Sequence, residues 1–171
     1  MGLDNIPNTY PCERLGTAVM VDIRDREGNP VINEATGLNE KRVDCDETIA
    51  QGKCPHKLAL EKSGITDASV LGMFGTYCWY RGKYGNYLLS QLGEDAFDFY
   101  GDNEDGTYKS PSSCLITAEV MEDAFHEQVN NNGTFYEAGT DEPYDIAPQI
   151  RYAIWWLRWV ANECNGARCW Y

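Results

Sequence analysis

Two stretches of this chain set cations among aromatic rings. Residues 72–89, GMFGTYCWYRGKYGNYLL, hold Arg81 and Lys83 beside a Phe, a Trp and four Tyr, with no acid in the run. Residues 147–164, APQIRYAIWWLRWVANEC, carry Arg151, Trp155 and Arg158 along one helical line at spacings of four and three. Guanidinium and ammonium groups bind anions, and aromatic faces take planar rings or cations. A pocket of Tyr80, Arg81, Lys83 and Tyr84, joined by Arg151, Trp155 and Arg158, is therefore the expected ligand site. Its expected occupant is an anionic small molecule such as a nucleotide. Trp, Tyr and Arg also dominate the binding energy of protein interfaces. An aromatic subunit interface, as in a virion or assembly component, is the alternative reading, and it predicts an oligomer.

A second set of residues could ligate metal. Cys45, Cys54 and His56 lie close together in VDCDETIAQGKCPHK, with Cys12 available from upstream. Zinc takes four thiolate or imidazole ligands in a tetrahedron, so zinc is the candidate cofactor. The nine-residue step from Cys45 to Cys54 is no standard knuckle, and the chain has no CxxC. Buried free cysteines are the competing reading. The loop GDNEDGTYKSPS resembles a calcium loop around Gly106, but Gly101 and Ser112 stand where oxygen ligands are required at its ends. Catalysis has less to build on. His56 and His126 are the two histidines, and GxSxG, P-loop and HExxH motifs are all missing. Binding is expected rather than catalysis, with a hydrolase or nuclease as the third reading.

The elements that must position these residues can be read from periodicity and turn signals. GTAVMVDIR (16–24) alternates as a strand, and KRVDCD (41–46) suits a returning one, with turns near Gly28 and Gly37 between them. Residues 16–46 are thus expected to form a β-rich antiparallel unit. KCPHKLALEKSG reads as a short helix with Pro55 early and Gly64 closing it. Tyr80, Tyr84, Tyr87, Leu88 and Leu92 recur at helical spacing, so a helix is expected over 78–92. Residues 99–113 read as a loop. The amphipathic helix 116–130 follows, with Thr117 as its expected N-cap. The last helix spans 147–164. Its face of Ile150, Ala153, Ile154, Leu157, Val160, Ala161 and Cys164 is widened nearly all round by Tyr152 and the tryptophans, which predicts a central position. The expected fold class is α+β: one compact domain of 171 residues, with a small N-terminal antiparallel sheet on about three helices and a mainly helical part over 78–164.

Charge narrows the partners. The net charge is −13. Residues 94–145 carry 14 Asp and Glu against one Lys, so that segment alone sums to −13. Such a block opposes non-specific nucleic-acid binding, which needs cations to displace counterions. Many acids with only six lysines also match a halophilic composition. No run of about 18 apolar residues exists, so no membrane helix is expected. The first residues, MGLDNIPNTY, lack an apolar signal core, which predicts a cytoplasmic or virion protein with mostly reduced thiols.

The opening MGLD, the run CWYRGKYGNYLL, the segment SPSSCLITAEVMEDAF and the terminal aromatic helix together resemble a group of small uncharacterised proteins. These are encoded by tailed phages, archaeal viruses (haloarchaeal ones included) and proviruses. Members often begin MGLD and carry a Tyr-Trp-Arg-Lys segment before an amphipathic helix. This chain inserts Gly82 into that segment and adds the 16–64 region. The resemblance implies a viral or provirus setting and a virus-associated accessory role, and it brings no activity with it.

Overall fold

The structure is a computed structural model that describes residues 4–65, 78–81, 102–132 and 147–170. Its elements are β1 (Asp4–Pro7), α1 (Pro11–Arg14), β2 (Met20–Asp22), β3 (Lys41–Val43), α2 (Cys45–Ala50) and α3 (Pro55–Ser63). After these come β4 (Tyr80–Arg81), β5 (Tyr108–Lys109), α4 (Pro111–Asn132), α5 (Ala147–Glu163) and β6 (Ala167–Trp170). The fold is α+β, as the sequence predicts.

The core is built on α5, which packs against α4. Ile150, Ala153, Trp156, Leu157 and Val160 on α5 are all but inaccessible, and they meet Cys114, Ala118 and Met121 of α4. Tyr152 and Trp159 are buried as well. Apolar coverage nearly all round α5 thus does place it centrally. Its two arginines are handled separately. Arg158 forms a two-pronged bond to the Glu122 carboxylate of α4, at 3.0 and 2.5 Å. Arg151 stays exposed, with its guanidinium 5.3 Å from the centre of the Phe125 ring.

The main sheet has the order β4-β1-β6-β5, and all three of its strand pairs are antiparallel. It is not confined to the N-terminal region: β1 lies between Tyr80–Arg81 and a strand that follows α5. The expected β-rich unit is a separate two-stranded sheet, β2 with β3, in the register Met20↔Val43 to Asp22↔Lys41. The Thr48 hydroxyl ties this unit to α2. It donates to the Asp44 carbonyl at 2.6 Å and accepts from the Val19 amide at 3.0 Å.

Three expectations about elements need correction. The helix over 78–92 does not begin where the tyrosine spacing put it. Cys78 has φ +64°, and Tyr80 and Arg81 pair with Asn5 and Asp4 as a strand; residues 82–92 lie outside the described ones. The amphipathic helix starts five residues earlier than 116, at Pro111, with the Ser110 hydroxyl accepting from the Ser113 amide at 3.3 Å. Thr117 is therefore no cap. It is buried in the helix interior and donates to the Ser113 carbonyl at 2.9 Å.

Gly166 joins α5 to β6. Its φ is +88°, and its amide donates back to the Val160 carbonyl at 3.0 Å, closing the helix. A Cβ at this position would sit 2.2 Å from the Lys109 carbonyl oxygen, so only glycine lets β5 approach this turn.

Candidate ligand cleft

An open cleft of about 900 Å³ lies between the main sheet and the β2–β3 unit. One wall comes from the sheet: Ile6 and Pro7 of β1, Asn8 just after it, and Arg168 of β6. The opposite wall is Val21 of β2 and Lys41, Arg42 and Val43 of β3, continuing into Asp44, Cys45 and Asp46 at the start of α2. Tyr10, Glu13 and Trp79 complete it.

Local structure fixes several of these groups. Tyr10 precedes α1, where Pro11 occupies the first helical position. The Trp79 indole N–H donates to the Tyr10 hydroxyl at 3.3 Å, so the two rings stand together. Burial pushes the Tyr10 phenol up to about 12, which keeps it neutral. Arg168 is exposed and donates through Nε to Asn8 Oδ1 at 2.9 Å, an arrangement that orients its fork. Among the described residues neither Lys41 nor Arg42 is held in an ion pair. The Asp44 carboxylate accepts from the Glu47 amide at 2.9 Å and so caps α2.

Lys41, Arg42 and Arg168 are thus balanced by Glu13, Asp44 and Asp46 around the same space. A bare polyanion is a poor match for that lining. A molecule with an anionic group at one end and hydrogen-bond donors at the other suits it, with a ring against Trp79 or Tyr10.

The residues expected from sequence to form the pocket are distributed differently. Tyr80 and Arg81 are placed by backbone in β4, directly after the cleft residue Trp79. Lys83 and Tyr84 lie outside the described residues. Arg151, Trp155 and Arg158 do not line the cleft. Trp155 stacks on Trp159, with ring centres 6.1 Å apart and planes 16° apart, and Arg158 is engaged by Glu122. Sequence reasoning missed Lys41, Arg42, Arg168 and Tyr10. The adjacent pair Lys41-Arg42 on an expected strand was the one local signal.

Of the four residues considered for zinc, Cys45 lines the cleft and Cys12 and Cys54 are buried behind it. Their thiols lie near enough to influence one another, and burial raises Cys12 and pushes Cys45 up to about 11. His56 turns to α5. Its ring is 4.9 Å from that of Trp159 and 5.5 Å from that of Trp155. The Tyr152 hydroxyl donates to the Trp79 carbonyl at 3.1 Å, so it accepts from His56 Nε2, also at 3.1 Å. That tautomer leaves His56 Nδ1 buried without a hydrogen-bond partner. Among the described residues no three His, Cys, Asp or Glu side chains form a group that could hold a metal ion. The calcium-like loop is likewise committed to its own backbone. Asp102 Oδ2 accepts from the Ser110 amide at 2.8 Å, and Asn103 Oδ1 accepts from the Thr107 and Tyr108 amides at 2.8 and 2.9 Å.

No helix among the described residues is long and apolar enough to cross a membrane. Comparison with protein-family models, with curated proteins and with solved structures finds no match to this chain.

Proposed function

We propose that this protein is a non-catalytic binding protein whose cleft takes a small anionic ligand of nucleotide type. One observation carries the reading: Lys41, Arg42 and Arg168 share a cleft of about 900 Å³ with Trp79 and Tyr10. That volume lies within the range of small-molecule sites. The phosphate of such a ligand would meet the arginines, its ring the aromatic wall, and its amino or hydroxyl groups the carboxylates. The virus or provirus setting implied by the resemblance is part of this reading. A role as an interaction protein is second, favoured by Ile32 and Leu38 of the β2–β3 unit, which are 58% and 69% exposed.

Thermal shift with nucleoside mono-, di- and triphosphates and with inorganic phosphate tests the proposal. A ligand at about one hundred times its Kd stabilises by roughly 2.7 kcal/mol. Arg42→Ala and Arg168→Ala should lose that stabilisation, while Arg151→Ala, away from the cleft, should keep it. If none of these compounds shifts the wild type, or if all three variants respond alike, the cleft reading fails. Elution as a stable assembly with no ligand response would favour the interface.

A further inference from the structure

Asn8 stands where the chain leaves β1, and its side chain is held from two directions. Asn165, in the turn between α5 and β6, takes a left-handed φ of +54°. Its carbonyl accepts from Asn8 Nδ2 at 3.2 Å and from the Tyr108 hydroxyl at 3.3 Å. A carbonyl can only accept, so the Asn8 amide must face it with nitrogen and present Oδ1 to Arg168 Nε, 2.9 Å away. The Asn8 main chain is tied to the same turn, its amide donating to the Gly166 carbonyl at 3.0 Å. Arg168 is thus anchored through Nε alone. Among the described residues its two terminal nitrogens have no partner, and they form a pair of parallel donors at the wall of the cleft.

We propose that the cleft selects a nucleoside monophosphate, a ligand ending in a single phosphomonoester, over cyclic nucleotides and nucleoside triphosphates. This rests on the reading of the cleft as a nucleotide site and narrows it.

The cations stand on both walls, Arg168 on the main sheet and Lys41 and Arg42 on β3. A phosphomonoester has three acceptor oxygens and about two negative charges at neutral pH. It can give a pair of oxygens to the Arg168 fork and turn the third toward Lys41 or Arg42. The diester of a cyclic nucleotide has one oxygen and one charge fewer, so the fork alone uses it up and the opposite wall is left unanswered. A triphosphate fails for the opposite reason. The lining sets three carboxylates, of Glu13, Asp44 and Asp46, against its three cations. Among the described residues Glu13 and Asp46 are held in no ion pair. Phosphates beyond the first would stand against those carboxylates, and like charges brought together on binding are strongly disfavoured. The carboxylates instead accept from the hydroxyl and amino groups of the nucleoside, with Trp79 and Tyr10 as the wall for its base.

Isothermal titration of the wild type with each common ribonucleoside monophosphate identifies the tightest. That compound is then compared with its parent nucleoside, its cyclic monophosphate and its triphosphate, and with ribose phosphate and inorganic phosphate. It should bind at least about tenfold more tightly than each of them. Arg168→Lys keeps the charge but loses both the fork and the Nε anchor, and should weaken the monophosphate by about tenfold. Asn8→Ala leaves the fork in place but free to wander, and should weaken it by about threefold to tenfold. Both variants should bind the parent nucleoside as the wild type does, which a merely structural effect would not allow. The wild-type ranking needs no variant to fold. A cyclic nucleotide, triphosphate, ribose phosphate or inorganic phosphate that binds as tightly as the monophosphate would overturn the selection, as would variants that weaken nucleoside and monophosphate alike; the cleft would then remain an anion site of another kind. Failure of every phosphate-bearing compound to bind would remove the cleft reading and this inference together.

Discussion

Mild acid should destabilise this protein through His56. The imidazole is 1% exposed, and burial alone lowers it from 6.5 to about 4. The rings packed on it belong to Tyr152, Trp155 and Trp159, which offer no negative charge to support an imidazolium. Between these two values the unfolded chain binds a proton that the folded protein refuses. His56 therefore contributes its full stability above about pH 6.5, and that contribution falls as pH drops through the window toward about 4. At 1.36 kcal/mol for each pKa unit, the loss is about 2 kcal/mol by pH 5 and about 3 kcal/mol by pH 4. Urea unfolding followed by tryptophan fluorescence, at about pH 7.5 and about pH 5, measures it. The paired protein is His56→Leu, which keeps the volume and cannot titrate. Other groups titrate alike in both proteins, so the difference between the two pH profiles isolates His56. The wild type should lose about 2 kcal/mol more than the variant over this range. Parallel profiles would show that the imidazole is hydrated or already protonated in the folded state, and the burial argument would fall.

Gly166→Ala should be among the most damaging small substitutions in the protein. A left-handed alanine alone costs roughly 1–2 kcal/mol, and the Lys109 carbonyl must also move, so the urea midpoint should drop well below that of Gly37→Ala, where the same backbone strain meets no neighbour. Arg158→Lys should change stability by less than about 1 kcal/mol, because the pair with Glu122 is 43% and 37% exposed; a larger effect in a double-mutant cycle with Glu122→Gln would mean the pair is better shielded than it looks. Raising KCl from about 0.1 M to about 2 M should raise the thermal midpoint by screening repulsion among the many carboxylates; a flat or falling midpoint would remove the halophilic reading.

The long apolar patterns were legible in the sequence because each carries its own period. The core face of α5 is buried at every residue from Ile150 to Cys164 that its spacing marks out, and Pro55 and Gly64 bracket α3. The short elements were not, since strands of four residues such as DNIP and ARCW are too brief to show alternation. Their pairing is decided by tertiary contact. The tyrosine spacing after residue 78 was helical and still lost to strand pairing with β1 at Tyr80 and Arg81. Of the site, the combination of aromatics and cations was foreseen, but the residues that supply it were not. Arg42 and Arg168 meet only because β6 returns beside β1, and no local pattern announces a meeting of that kind.

The same return of β6 to β1 bears on how the chain reaches its native state. Asn5 contacts Cys169 across 164 positions of sequence, and the Asn8 and Thr9 amides donate to the Gly166 and Cys164 carbonyls. Closing so large a loop costs entropy before any ladder bond is formed, which makes this step slow relative to the docking of α4 on α5. On the ribosome β1 emerges before β6 and cannot pair with it until the residues between them have been made. During that interval one of its edges is open to pairing with other chains. A substitution that weakens the β1–β6 ladder should therefore show itself in the yield of soluble protein before it does in the stability of what has folded.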